Sequence, residues 1–434
     1  MHKLSRFKVK LVCSSCGYKC RRLTIKCPRC GGCVEPVLED PYWSPGGPGV
    51  WRYSCLLPRF DEKLTLMEGS TPVIECGFQG STLLFKDEGR NPTGSFRDRA
   101  AAVIVSHALE YGALRICVAS DGNMGASVAA YASKAGVEAV VVTPVASEPA
   151  KIAQVKAYGA KIVYGGSTLD EAVAVAEKMA VRRRMYNATA EENPLSIMGL
   201  ATIAYEVVEE GVEPDYIVVP TASGLTLYSI YYGYKMAIEA GVEARIPKLV
   251  AAVCSECSSW IISLCYRNPP ILEQALEKAR ETGGGVVSVS LNEIRNSVKE
   301  LARKHGLLVE NAAGAAYAAA LKIARGNPGS RILVLLTGSG FKSLSARGVY
   351  GSFGLKSMIK QSILVTLLEK GEMRGYDLWR EIGAGTPQAV YKSLKKLVSE
   401  GLVYSRRSNG VVLYGLTKAG RGIAESIVSS MGVL

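Results

Sequence analysis

The chain has 434 residues, 48% of them hydrophobic and 21% charged, which is enough apolar material for several cores and argues against extensive disorder. No apolar run approaches the roughly 18 residues that span a bilayer, and the opening Met1–Arg6 runs into charge and cysteine, so a membrane role is excluded and a cytoplasmic location is expected. The formal charge of +13 sits at the two ends: residues 1–40 carry +6 and residues 356–434 another +6, leaving a nearly neutral middle and two basic modules suited to a phosphate backbone or simply to solvent.

The first 40 residues form a domain of their own. Six of the twelve cysteines fall between residues 13 and 33. Cys13-x2-Cys16 and Cys27-x2-Cys30 make two tight knuckles that can close a tetrahedral thiolate site, and Gly17 and Gly31-Gly32 supply the turns after them. The pattern predicts a zinc ribbon with Cys13, Cys16, Cys27 and Cys30 as ligands. Cys20 and Cys33 are spare thiols that could substitute. With almost no apolar core of its own, the ribbon would draw its folding energy from the metal. A disulfide scaffold is the alternative, disfavoured without a secretory leader. Four thiolates leave no open position, so the role is structural. Cys254-x2-Cys257 stands alone and reads as two incidental cysteines. The three histidines (His2, His107, His305) lie in no motif, which disfavours histidine-based triads.

From about residue 41 to 346, short apolar runs alternate with helical patterns. Leu114–Ala119, Ala139–Thr143, Lys161–Tyr164, Tyr216–Pro220, Lys248–Val253 and Arg331–Thr337 read as buried strands, and Gly125–Ala135 and Thr168–Arg182 as helices. That alternation predicts an α/β body of two subdomains, with parallel sheets and helices on both faces. Ligands in such folds bind at the carboxyl ends of the strands.

Several loops there resemble one family. Lys86-Asp87-Glu88-Gly89-Arg90-Asn91-Pro92-Thr93-Gly94-Ser95-Phe96-Arg97-Asp98-Arg99 is similar to the segment that carries the cofactor lysine of threonine synthase, a fold type II enzyme dependent on pyridoxal phosphate (PLP). Ala119-Ser120-Asp121-Gly122-Asn123-Met124-Gly125 resembles its asparagine loop, and Asn193–Gly199 with Thr202–Glu206 a further stretch. Pro220-Thr221-Ala222-Ser223-Gly224-Leu225-Thr226 stands in place of the phosphate loop, and Leu336-Thr337-Gly338-Ser339-Gly340 in place of the motif whose threonine meets the pyridine nitrogen. The resemblance covers about residues 10–345. It implies a cofactor pocket built from Asn123, Ser223, Gly224, Thr226 and Thr337, with Ser120 and Asp121 facing the substrate carboxylate.

The departures from the family bear on function. Arg97 stands where the family has lysine, and a guanidinium stays protonated to a pKa above about 12, so it can neither form the Schiff base nor carry the α-proton. It can pair with a carboxylate or phosphate. Lys86, eleven residues upstream, is a poor substitute. Ala222 and Leu225 replace glycines, and a leucine would crowd an anion cradle. Asp121 brings a second carboxylate beside the substrate's, which repels unless Arg97 or a proton intervenes. Glu310-Asn311-Ala312-Ala313 departs from Glu-Pro-Ala-Ser. These changes predict no catalytic residue and a PLP that is non-covalent or absent.

Past a glycine-rich linker, 347–356, the pattern changes. Met358–Lys370 and Gly375–Ile382 read as helices, and a third, Pro387–Glu400, is capped by Thr386. It turns Val390, Leu394, Leu397 and Val398 inward. Leu402–Ser405 and Val411–Leu416 form a hairpin around Arg406-Arg407-Ser408-Asn409-Gly410, and a last helix starts near Thr417. Residues 357–430 resemble the winged helix-turn-helix of PadR-type regulators. The resemblance implies a DNA face of Thr386, Gln388, Tyr391, Lys392, Lys395, Lys396, Arg406 and Arg407, with Gln388 reading a base and the cations meeting phosphates.

Two functions compete on this reading. The favoured one is a catalytically degenerate, ligand-sensing DNA-binding regulator, homodimeric on a palindromic site, whose ligand is a small anion: an amino acid, a phosphorylated amino acid or PLP. The other is a PLP-dependent threonine synthase or related β- or γ-replacement lyase with an appended regulatory domain. A scaffold that binds protein partners is a third.

Overall fold

The computed structural model describes residues 9–145, 147–256, 259–343, 355–382, 386–408 and 410–431; His2, Cys257, the glycine-rich stretch 348–354 and Asn409 lie outside them. The chain divides into two compact units, one of residues 1–257 and 261–344 and one of residues 258–260 and 345–434.

The first unit opens with an antiparallel sheet of β1 (Val9–Cys13), β2 (Lys19–Cys20) and β3 (Val34–Leu38), in the order β2-β1-β3. Alternation along β1 buries Val9, Leu11 and Cys13 on one face. The expectation of a ribbon without apolar support is corrected here. Val9, Leu11, Ile25 and Val34 belong to the same core as the body that follows. The buried Glu35 carboxylate clamps the junction, accepting from the Tyr228 hydroxyl at 3.0 Å and pairing with Lys235 at 2.9 Å. The Tyr232 hydroxyl donates to the Pro36 carbonyl at 2.8 Å.

The body then runs β4 (Val73–Phe78), β5 (Ser81–Asp87), α1 (Arg97–Glu110), β6 (Arg115–Ala119), α2 (Asn123–Lys134), β7 (Glu138–Thr143), α3 (Pro149–Ala157) and β8 (Lys161–Tyr164). It continues with α4 (Leu169–Arg183), β9 (Tyr186–Asn187), α5 (Leu195–Glu209), β10 (Tyr216–Pro220), α6 (Leu225–Glu239), β11 (Lys248–Cys254) and α7 (Leu272–Glu281). It closes with β12 (Gly285–Val289), α8 (Leu291–His305), α9 (Asn311–Gly326) and β13 (Arg331–Leu336). A four-stranded parallel sheet has the order β8-β7-β6-β9, and a six-stranded sheet the order β12-β11-β10-β13-β5-β4, with only β4 antiparallel. The central strands are buried on both faces, which is why they read as continuous apolar runs.

Helix α5 lies between α1 and α6 and is buried from Leu195 through Val207. Two glycines permit that closeness. A Cβ at Gly199 would lie 2.4 Å from the Arg99 carbonyl oxygen, and one at Gly233 would lie 2.7 Å from that of Ala201. Beneath α1, the fully buried Arg99 bridges Glu88 and Glu206, while Lys86 pairs with Glu206 at 2.8 Å and donates to the Thr71 carbonyl at 2.6 Å. Lys86 is thus committed to the core.

The second unit consists of α10 (Leu355–Lys370), β14 (Met373–Arg374), α11 (Gly375–Ile382), α12 (Pro387–Ser399), β15 (Val403–Ser408), β16 (Val411–Leu416) and α13 (Lys418–Met431). Its sheet has the order β14-β16-β15, and Ile363, Leu378, Val390, Leu394 and Leu397 fill its core. The Thr386 hydroxyl caps α12 by accepting from the Ala389 amide. Gln388, Tyr391, Lys392, Lys395 and Lys396 are exposed along that helix, and Val398 is only half-buried. One expectation fails. Arg406 and Arg407 are not at the hairpin tip but within β15, opposite Leu413 and Val412, because the strand extends through Ser408. The Arg406 guanidinium is held by both Glu372 carboxylate oxygens, so its charge is already matched. Among the described residues no helix is long and apolar enough to cross a membrane.

Candidate active site

The candidate site is a pocket of about 740 Å³, mouth included, at the carboxyl ends of β6, β10 and β13. Helices α1, α2 and α6 all begin at its wall, with Arg97, Asn123 and Leu225 as their first residues. None of these starts has a side-chain cap. Their dipoles favour an anion at the pocket, against the carboxylates of Asp121, Glu191 and Glu310 in the same wall. The loop into α6 requires glycine at 224, where φ is +85° and a Cβ would meet the Leu272 Cα at 2.7 Å.

Residues that the sequence singled out separately meet here. Arg97, Ser120, Asp121, Asn123, Ser223, Gly224, Thr226 and Thr337 all line the pocket, as do Ala222 and Leu225. Leu225 is fully buried and packs into the core as well. Sequence reasoning missed Glu191 and assigned no role to Glu310. Glu191 follows the short strand β9, and its only signal was its place just before the Asn193-Pro194 motif.

Two carboxylates organise the polar wall. Glu310 accepts from Asn123 Nδ2 at 2.7 Å and from the Thr337 hydroxyl at 2.8 Å. Burial alone would raise its pKa, but Lys151 and these two hydrogen bonds outweigh it and hold Glu310 below the usual carboxylate range. Glu191 accepts from Arg97 Nη2 at 2.8 Å. The other terminal nitrogen of that guanidinium, Nη1, is buried and has no hydrogen-bond partner, and the same is true of Asn123 Oδ1. Asp121 is pushed up by desolvation, an effect that Lys151 and Arg97 only partly offset. A protonated Asp121 turns from a competitor of a substrate carboxylate into a donor for it.

The family description "Pyridoxal-phosphate dependent enzyme" matches residues 64–338. The chain belongs to this family. It is similar to the threonine synthase of Methanosarcina acetivorans, with 30% identity over 350 residues that cover 72% of this chain and 86% of that protein. The threonine synthase of Methanocaldococcus jannaschii is 30% identical over 331 residues, 69% of this chain and 82% of its own. Among solved structures, an O-ureido-L-serine synthase superposes with a TM-score of 0.55 at 24% identity, covering 68% of this chain and 97% of that one. The O-acetylserine-dependent cystathionine β-synthase of Helicobacter pylori gives 0.54 at 24%, covering 65% and 96%. These two likenesses establish the fold.

The relatives correct the function favoured from sequence. A family match across the body, with threonine synthases aligned over most of their own length, puts a PLP-dependent enzyme at the centre of this chain rather than a DNA-binding regulator.

The pocket fits the cofactor in one respect and not in another. Ser223, Gly224 and Thr226 form a hydroxyl-bearing turn where α6 begins, as a phosphate requires, while Asn123 at the pocket wall has its Nδ2 donor engaged by Glu310. Residue 97 offers no amine for covalent attachment. In the amino-terminal module, the sulfurs of Cys13, Cys16, Cys27 and Cys30 all lie within 4.8 Å of one another. Four thiolates about 2.3 Å from one zinc stand about 3.8 Å apart, so the cluster has the right size for that ion.

Proposed function

We propose that the protein is a PLP-dependent enzyme of the threonine synthase type, acting by replacement at Cβ or Cγ of an amino acid that carries an anionic leaving group. The observation that carries this reading is the convergence of Ser120, Asn123, Ser223, Thr226 and Thr337 on one pocket at the strand ends, within a chain 30% identical to threonine synthases. When bound, PLP supplies an electron sink for charge developing at Cα. This chain's residues hold it without a covalent link: Asn123 and Thr337 at the ring, and Ser223, Gly224 and Thr226 at the phosphate. Ser120 and Asp121, whose pKa desolvation raises, face the substrate carboxylate. The walls formed by Phe96, Met124, Leu169 and Leu264 limit water at the reacting carbon. The four-cysteine cluster binds a structural zinc ion.

The test is phosphate release from O-phosphohomoserine by the full chain. Release should depend on added PLP, and Arg97→Lys, which restores an amine at the helix start, should raise it by about tenfold or more. Native protein that releases no phosphate above a protein-free control with PLP present would end this reading.

A further inference from the structure

We infer that Glu191 receives the substrate's α-ammonium: Arg97 pins one oxygen of its carboxylate, and the other, Oε2, stands open to the pocket. The inference deepens the reaction proposed above and rests on this pocket being its site. Binding is measured without the cofactor, so it fails or stands separately from turnover.

Three observations converge on it. The first is access. Glu191 lines the pocket, and among the described residues no donor reaches Oε2. Nor is Oε2 one of the buried polar atoms left without a partner, as Arg97 Nη1 is. It therefore keeps accessible surface, and the small part of Glu191 that is exposed meets open space at the pocket. A carboxylate oxygen only accepts, so a donor must complete it. The second is fixation. Arg97 Nη2 donates to Oε1 at 2.8 Å, and the guanidinium itself is braced by the Phe96 ring 4.9 Å away. A carboxylate held on one side presents the other without further loss of freedom. The third is the sign of the local field. Burial, then Glu191, Glu192 and Asp170, push the phenol of Tyr266 up, although Arg97 opposes them. Burial, with Glu177 and Glu191, pushes Glu192 up to about 7 against Lys26. Protons held in this way mark a negative potential around Glu191, which favours a cation.

The other two carboxylates of the wall are not available for that role. Glu310 is occupied by Asn123 and Thr337, with Lys151 3.5 Å away, and desolvation pushes Asp121 toward its neutral form. Glu191 also lies within electrostatic reach of Asp121, adding to that upward push. In an amino acid the ammonium and the carboxylate share one carbon, so their receptors must be neighbours. Glu191 beside Ser120 and Asp121 meets that condition.

The experiment is isothermal titration of the full chain, free of PLP, with O-phosphohomoserine and with 4-phosphooxybutanoate, the same molecule without its ammonium. Native protein should bind O-phosphohomoserine about tenfold more tightly, as one charge-assisted hydrogen bond at a fixed oxygen provides. Glu191→Gln keeps the shape and an acceptor for Arg97 but removes the charge. It should weaken O-phosphohomoserine by about the same factor and leave 4-phosphooxybutanoate unchanged or tighter, so that the preference disappears. Equal affinity of native protein for the two ligands overturns the inference. So does a folded Glu191→Gln variant that keeps the preference, and so does native protein that binds neither ligand. Should Glu191→Gln not fold, Glu191→Asp takes its place. It carries the same charge on a shorter arm and should lose several-fold of the preference, and an unchanged preference counts against the receptor.

Discussion

At the scale of single residues, the pocket shows that a side chain's meaning depends on what its neighbours leave unmatched. Arg97 reads in sequence as the loss of an amine, and in the fold as a donor with one edge spoken for. Lys342, two residues past Gly340, shows the converse. Its ammonium is buried with the Thr93 carbonyl as acceptor at 2.6 Å, and loss of hydration pulls its pKa down to about 8, despite Asp98 and Glu310 acting the other way. In the unfolded chain a lysine titrates near 10.4. Between about 8 and about 10.4 the unfolded chain holds a proton that the folded one has released, so this residue's contribution to stability rises with pH across that window. Lys342→Met should abolish the rise. Denaturant midpoints of native and variant protein, compared at pH 7.5 and pH 10, should shift in favour of the native protein at the higher pH. Parallel behaviour would mean that the amine keeps its ordinary proton affinity.

At the scale of elements, the helices that begin at the pocket are positioned from behind. Helix α5 touches both α1, which presents Arg97, and α6, which presents the Ser223–Thr226 turn, and Gly199 and Gly233 set the two separations. Gly199→Ala poses two opposing effects. Alanine is the better helix former by about 1 kcal/mol, but its Cβ would sit 2.4 Å from a backbone oxygen of α1 that has no rotamer to change. Overpacking against backbone wins, and a net loss of about 1–3 kcal/mol is expected, read as a lower thermal midpoint. An unchanged midpoint would show that α1 and α5 can part freely, and with them the two walls of the site. The sequence made part of this legible. Doubly buried strands such as Tyr216–Pro220 and Arg331–Leu336 announce themselves as apolar runs, within a residue of their true ends. Strands β4, β5, β9 and β12 do not. β5 carries Asp87 and also Lys86, whose burial depends on Glu206 far along the chain, and β9 is two residues long. Glu191 stayed hidden for the same reason: its partner lies 94 residues away.

At the scale of the whole molecule, the amino-terminal module and the body share more than sequence patterns can reveal. Knuckle spacing shows that four cysteines can gather, but not that Val9, Leu11, Ile25 and Val34 extend the body's core, which forms only once the chain has folded. The docking partners sit on α6 itself: Tyr228, Tyr232 and Lys235 anchor Glu35 and Pro36, one to three turns from the helix start at the pocket. A free-standing ribbon unfolds when its zinc is removed, because the metal is its core. This ribbon has a second source of stability in its apolar face, so chelation should loosen the knuckles at residues 13–33 without unfolding the body. We therefore expect about one zinc ion per chain. Its removal should lower the thermal midpoint and open the knuckles to protease, while the far-ultraviolet spectrum of the body is retained. Because α6 carries both the anchor and the Ser223–Thr226 turn, O-phosphohomoserine affinity should also fall, by a few-fold rather than completely. Zinc absent from the purified chain, or a chelated protein with unaltered protease resistance, would mean that the apolar face alone holds the module and that the four thiols are not a metal site.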